Sequence, residues 1–227
     1  MFPISEQRVA RQIIRVSTRR KTMFSMVHGD IERNYPSALD HIYRFRHSYF
    51  VETLGWEACR RPDNRERDQF DGPGSIHVVG RDEGHIVSYA RLLPTTRPHL
   101  LSHLYPELMQ GAKAPTGHRI YEWTRQSVLP RKREHGAANA FSNAFMGAVA
   151  RVAEALDLEG LLVQTHPALV GRLLDTGWDV ETLALPTLYA GALLVPVYAR
   201  ITARTLEAAD AAFAAWPGSR LAFHRPP

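Results

Sequence analysis

The chain has a single cysteine, Cys59, so no intrachain disulfide can form and a thiolate-rich metal site is excluded. Such sparing thiol use suits a reducing cytoplasm. Long apolar runs are missing as well. The longest, Ala190–Ala199, is interrupted by Gly191 and Pro196 and falls far short of the roughly 20 residues that span a bilayer. No membrane partner is expected. The arginine-studded start, RVARQIIRVSTRRK, lacks the apolar core of a signal peptide. Internal repeats, low-complexity tracts and Pro/Gly/Ser linkers are absent too, so one domain with one core is expected of the 227 residues. Neither Gly-x-Ser-x-Gly nor His-Glu-x-x-His occurs, and the eleven histidines show no ligand spacing, so no metal is expected.

A general excess of positive charge is also lacking. The net charge is +5, but Arg8, Arg11, Arg15, Arg19, Arg20 and Lys21 against Glu6 alone account for all of it. The body of the chain is neutral in sum, unlike a basic nucleic-acid-binding domain, and no nucleic-acid partner is expected. Residues 1–25 read as a basic, flexible extension and 26–227 as the domain. With Met23 and Met26 close behind, the first twenty-odd residues are either an upstream extension of the reading frame or a functional basic arm.

Hydrophobic periodicity predicts a helix over Ser37–Val51, with Leu39, Ile42, Tyr43, Arg46 and Phe50 on one stripe. A polar loop, Cys59–Gly74, follows. Two strands, Ser75–Gly80 and His85–Leu93, flank the turn 81–84. A short helix is expected over His99–Leu108 and a strand over Arg119–Val128. Ala137–Leu156 is the clearest helix, with Phe141, Phe145, Ala148, Val149, Val152 and Leu156 on one face. A strand Leu161–Thr165, a helix Pro167–Thr176 closed by Gly177, strands Trp178–Leu185 and Gly191–Ala199, and a helix Thr202–Ala215 complete the pattern. Strands with intervening helices predict a layered α/β domain with a mixed central sheet.

Charged and aromatic residues interrupt this apolar pattern in the first half. Arg46 shares a stripe with Ile42 and Phe50, where it either snorkels outward or serves a site. Trp56 reads as core by default, and Asp68 and Asp71 as turn residues. Arg91 lies near the end of an apolar strand and needs a carboxylate partner. Glu122 lies between Tyr121 and Trp123, so it is either a base of raised pKa or the ion-pair partner of Arg91 or Arg125. Isolated buried charges are costly, so the set as a whole points to a polar pocket for a charged small molecule. His166 reads as structural or exposed. Thr165, at a strand end, either faces a ligand or lies at the surface.

Between the third strand and the long helix stands Arg133-x-x-Gly136-x-Ala138. Small residues at a helix N-terminus leave backbone N–H groups free to cradle phosphate, and the arginine adds charge. The segment resembles the pyrophosphate loop, Arg-x-x-Gly-x-Gly/Ala, of the acetyltransferase superfamily.

Taken in order, Arg46-x3-Phe50-x5-Trp56, Asp68-x2-Asp71, Arg91 in RLLPTTRP and Glu122-x2-Arg125 resemble the acyl-homoserine-lactone synthases, the LuxI-type autoinducer synthase family. LGWE, ERDQFD and YEWTR support the likeness, which runs from about Met26 to the terminal helix. Tyr105 stands where the family usually has phenylalanine, and Thr124 replaces the usual serine. The resemblance implies an acetyltransferase-like (GNAT-like) three-layer fold and no permanently bound cofactor. It also implies two small-molecule substrates, S-adenosyl-L-methionine and an acyl thioester, either acyl-CoA or acyl-carrier protein. The products would be an N-acyl-L-homoserine lactone, a quorum-sensing signal, 5′-methylthioadenosine and the free thiol.

On that reading Phe50 and Trp56 offer faces to the sulfonium and adenine. Asp68 and Asp71 suit cationic groups, Arg46 suits the carboxylate, and Arg91 and Arg125 hold the acidic cluster in shape. Glu122 takes the amine's proton, directly or through water, and a strand-edge amide holds the thioester oxyanion. Tyr105, Thr165, Arg133, Gly136 and Ala138 are expected at the acyl-pantetheine side, and Thr165 falls where family members accepting 3-oxo chains carry a threonine. WEACRRPDNRERDQFD resembles the CoA-using subset, while Arg131, Lys132 and Arg133 form a patch suited to an acidic carrier protein.

Two other readings compete. A different GNAT-type N-acyltransferase using acetyl-CoA keeps the fold and the loop but leaves Arg46, Trp56, Asp68 and Asp71 unexplained. A nucleic-acid-binding regulator using the Met1–Lys21 arm accounts for the arm and nothing else.

Overall fold

The computed structural model describes residues 22–29, 36–129, 137–189, 191–216, 218 and 220–222. Its centre is a mixed sheet of β1 (Thr22–His28), β2 (Ile76–Asp82), β3 (His85–Pro94), β4 (Ile120–Val128), β5 (Gly160–Thr165), β6 (Asp179–Thr182), β8 (Ala192–Arg200) and β9 (Arg220–Ala222). The spatial order is β6-β8-β5-β4-β3-β2-β1-β9, with a short β7 (Thr187–Tyr189) paired to β8 alone. Neighbours run antiparallel except β1 with β9 and β4 with β5.

Alternation along the strands sorts the side chains into two layers. On one face Val78, Ala90, Trp123, Leu161 and Val163 pack against α3 (Ala137–Ala155), α4 (Pro167–Asp175) and α5 (Ala203–Ala215). On the other, Val79 and Tyr89 meet α1 (Pro36–Arg46), while Ile120 and Leu162 meet α2 (Leu100–His103) and the turn after it. Helices thus cover both faces, the expected three-layer arrangement. The stripe predicted on the long helix is the main core seam: Phe141, Phe145, Ala148, Val149 and Val152 are fully buried. Behind it, Gly147 lets α3 approach α5 closely, since a Cβ there would lie 3.1 Å from the Ala209 Cα.

Several boundaries differ from expectation. β1 begins at Thr22, inside the segment expected to be an extension, because Phe24 fills the core between Phe141, Phe145 and Phe213. The first helix keeps its pitch only to Arg46 and then widens through His47–Thr53. The helix expected over His99–Leu108 breaks into α2 and a tight turn at Pro106–Met109, since Pro106 lacks the N–H to continue it. β7 and β9, three residues each, are too short to announce themselves by alternation.

The site-forming feature lies between β4 and β5. Their parallel pairing covers only Ile120↔Gly160, Tyr121↔Leu161 and Glu122↔Leu162. Beyond these pairs β4 runs on to Val128 and β5 to Thr165, and the two strands border an opening in the sheet.

Candidate active site

The first wall comes from the end of α1. In the widened turn, Leu54 N donates to Tyr49 O at 3.1 Å, one residue longer than an α-helical bond. Such local widening recurs at functional sites because it re-aims side chains. Gly55, at φ +72°, then reverses the chain so that Trp56 N donates to Phe50 O. The Trp56 ring thereby stacks on Phe50 with centroids 4.9 Å apart, Phe50 buried and Trp56 43% exposed.

The loop that follows is tied down by its own carboxylates. Asp68 Oδ1 accepts from Phe70 N at 3.0 Å, and Asp71 Oδ2 accepts from Asp68 N at 2.9 Å, local bonds that suit aspartate at turns. Glu66 N donates to Tyr43 O of α1. Asp68 and Asp71 are therefore turn residues and ion-pair partners at once.

The third contribution is a bulge. Between the pairs Tyr89↔Ser127 and Arg91↔Thr124, β3 advances two residues while β4 advances three. Within that extra step Arg125 has φ +56°, a left-handed conformation costly for a residue with a Cβ. The kink turns its guanidinium back over Phe50 and Trp56, 5.6 and 5.4 Å from the ring centroids.

These pieces close a network of three arginines and three carboxylates. Arg46 reaches Glu66 at 2.5 Å and Asp71 at 2.6 Å. Arg91 grips Asp68 with both terminal nitrogens, at 2.7 and 3.0 Å, touches Asp71 at 2.9 Å, and donates from Nε to the Thr124 hydroxyl. Arg125 Nη2 meets Glu66 at 3.0 Å and Asp68 at 3.3 Å. Formal charges cancel, which makes the burial tolerable. Burial alone would raise the Asp71 and Glu66 pKa values, but Arg46 with Arg91, and Arg46 with Arg125, outweigh it and hold both below the ordinary carboxylate range. Beneath the network, His77 Nδ1 lies 2.7 Å from the Tyr89 hydroxyl, and burial drives the His77 pKa down to about 3, so the ring is neutral.

Burial divides this network. Arg46, Arg91, Glu66 and Asp71 are interior, while Asp68 and Arg125 form its accessible edge. Arg46 does not snorkel to the surface; its position suits the frame. The cleft at this edge has a volume of about 510 Å³. Phe50, Trp56 and Arg125 border it on one side, and Thr124 and Gln126 of β4 face Val163, Gln164 and Thr165 of β5. Tyr105 and Tyr189, edge to face at 5.1 Å, continue it with Leu194.

Glu122 is not the expected ion-pair partner of Arg91 or Arg125. Its carboxylate is buried and accepts from Leu100 N at 2.8 Å and Leu101 N at 2.7 Å, holding the first turn of α2, with His99 Nδ1 at 3.2 Å. No ion pair joins it to Arg91 or Arg125 among the described residues, and it is not one of the residues lining the cleft.

The structure thus brings Phe50, Trp56, Arg125, Tyr105 and Thr165 to one cleft, with Asp68 held by Arg125 and Arg91, and Arg46 and Asp71 further in. Arg133 and Gly136 lie outside the described residues, as does the Ala138 side chain. Sequence reasoning missed Glu66, which alternates with Arg65 and Arg67 in a run that reads as solvated. Its buried alternation with Asp68 was the available signal. Gln126, Gln164 and Tyr189 carried none.

A mixed sheet layered between helices, opened where two parallel strands part, with a charged edge and an apolar interior to the opening, defines a protein of the acetyltransferase-like fold class. A putative N-acetyltransferase from Lactobacillus plantarum shares that fold at TM-score 0.52, with 17% identity, covering 80% of this chain and 98% of its own. More similar is a solved CoA-dependent acyl-homoserine lactone synthase, BjaI, with SAM and isopentyl-CoA. It superposes at TM-score 0.79 with 25% identity over 90% of this chain and 95% of its own. The isovaleryl-homoserine lactone synthase of Bradyrhizobium diazoefficiens is 31% identical over 173 residues, 76% of this chain and 77% of that protein. The autoinducer synthase family matches residues 30–195. The chain belongs to that family and is an acyltransferase, an acyl-homoserine-lactone synthase. The readings as another N-acyltransferase or as a nucleic-acid-binding regulator are not favoured.

Proposed function

We propose that the enzyme transfers an acyl group from acyl-CoA to the amine of S-adenosyl-L-methionine and closes the product to an N-acyl-L-homoserine lactone. In the first step the amine nitrogen bonds to the thioester carbon, the carbon–sulfur bond breaks, and the proton lost by the amine ends on the departing thiol. In the second, the methionine carboxylate attacks the γ-carbon and the sulfonium leaves as 5′-methylthioadenosine, so opposite charges vanish together.

The observation that carries this reading is the buried network reaching the cleft through Arg125, with Asp68 paired behind it, beside the exposed face of Trp56. A sulfonium amino acid needs an aromatic face, an anion for its cationic groups and a cation for its carboxylate, and that edge offers all three. We assign contact with the substrate to Trp56, Phe50, Asp68 and Arg125. Arg46, Arg91, Glu66 and Asp71 form the rigid frame behind them. Thr165 and Tyr105 are assigned to the acyl side.

For Glu122 we propose the seating of α2, with any proton transfer passing through water, because both of its oxygens are already engaged. Turnover of Glu122→Gln that falls more than SAM affinity supports a share in proton transfer; equal loss of both leaves the seating alone. The likeness to CoA-dependent synthases favours CoA over a carrier protein as the donor's handle. No helix among the described residues is long and apolar enough to cross a membrane, and we assign the reaction to the cytoplasm.

The test is mass spectrometry of the purified chain incubated with SAM and either acyl-CoA or acyl-carrier-protein thioesters. Lactone and 5′-methylthioadenosine in equal amounts from the CoA series are expected. Faster turnover with the carrier protein overturns the donor assignment, and no 5′-methylthioadenosine with any thioester overturns the reaction.

A further inference from the structure

One polar group on the cleft wall has no part in the roles above. The Gln164 side-chain nitrogen, Nε2, is shut off from solvent and has no hydrogen-bond partner among the described residues. Buried donors are rarely left so, and an orphan on a cavity wall calls for a ligand acceptor.

Its place in the sheet says which ligand. On β5, Gln164 projects from the same face as Leu162, two residues earlier, and Leu162 is the parallel neighbour of Glu122 on β4. The position across the opening is therefore Thr124, whose hydroxyl accepts from Arg91. Gln164 sits opposite the charged network, at the boundary where the apolar part of the cleft begins with Tyr105, Tyr189 and Leu194. An N–H donor repels the hydrogens of an ammonium and has no attraction for a sulfonium. A carboxylate finds a stronger partner in Arg125 across the gap. What suits a neutral amide at the mouth of an apolar channel is an uncharged carbonyl oxygen.

We propose that Gln164 is a catalytic or specificity-determining residue whose side-chain N–H donates to a carbonyl oxygen of the acyl donor. This rests on the acyl-thioester reading above. Within the acyl group two carbonyls present that chemistry, apart from the amide carbonyls of the pantetheine arm. One is the thioester carbonyl, whose oxygen gains negative charge as the amine nitrogen bonds to its carbon and loses it when the carbon–sulfur bond breaks. The other is an oxo group further along the acyl chain.

The experiment compares wild type, Gln164→Met and Gln164→Glu, using a plain acyl-CoA that the wild type turns over and its 3-oxo counterpart. Met keeps the length without a donor, and ionised Glu keeps the shape with only acceptors. A fall in kcat/KM of about 100- to 1000-fold in both variants is expected, the range for one lost donor to a developing oxyanion, with the KM for SAM unchanged. An equal fall for both donors carried by kcat assigns the thioester carbonyl, and one carried by the KM for acyl-CoA alone overturns that assignment in favour of the pantetheine arm; a fall confined to the 3-oxo donor assigns the chain carbonyl. Unchanged kcat/KM for both donors, or a change in the KM for SAM alone, overturns the proposal. Neither result touches the reaction itself, which stands on wild-type production of 5′-methylthioadenosine.

Discussion

Glu66 is the residue on which the charge balance turns. It is almost fully buried and is shared by Arg46 and Arg125, so neutralising it leaves two guanidiniums competing for the remaining acids. Glu66→Gln is expected to destabilise the fold by about 3–5 kcal/mol, the usual cost of breaking a buried pair from one side. Urea denaturation measures it, and a loss below about 1 kcal/mol would show that the network relaxes instead. Trp56 makes the opposite case. Nearly half exposed and stacked on Phe50, it contributes little core. Trp56→Ala is expected to leave stability nearly unchanged and weaken SAM binding about tenfold by calorimetry, with Trp56→Phe between the two.

At the scale of elements, the site depends on irregularities. A regular strand would point Arg125 along the alternation of β4; the extra residue of the bulge instead brings it over the aromatic pair. A regular helix would carry Phe50 onward, whereas the widened turn and Gly55 fold Trp56 back upon it. Glu122 acts at this scale too, since α2 is only four residues long and its first amides depend on that carboxylate. In Glu122→Gln the amide nitrogen cannot accept a hydrogen bond, so one of the two is lost. Amide exchange at Leu100 and Leu101 is expected to accelerate while α3 amides stay protected, as read by hydrogen-exchange NMR. Uniform acceleration would mean that the whole fold was destabilised.

For the whole molecule, the buried network sets the response to acid. Glu66 and Asp71 have depressed pKa values in the fold, so their stabilisation is full above the ordinary values of 4.5 and 3.8. It is lost as pH falls from there through the folded values. His77 acts in the same direction but earlier. The unfolded chain binds its proton below about 6.5, and the native state refuses it until about 3. Unfolding free energy is therefore expected to decline from pH 6.5 downward and to steepen below 4.5. His77→Gln should remove the first part of that slope and leave the second, as measured by denaturant titration at stepped pH. An unchanged slope between 6.5 and 4.5 would show that His77 gains its proton in the fold.

By itself the sequence determined the layered α/β class and the α3 seam, because these rest on periodicity, and through its motifs the family. Arg46, Trp56, Asp68 and Asp71 read singly as surface, core or turn residues, and only taken in order with Phe50, Arg91 and Arg125 did they point to one site. Only the tertiary structure shows which of them are interior and which reach the cleft. Arg46 and Asp71 went to the frame because an ion pair between α1 and a loop twenty-five residues later has no local signature. Glu122 went to the amides of α2 because its nearest donors come from a helix that closes over β4 in space. Gln164 acquired meaning only when β4 and β5 parted, since a glutamine on a strand is ordinary until its partner strand turns away.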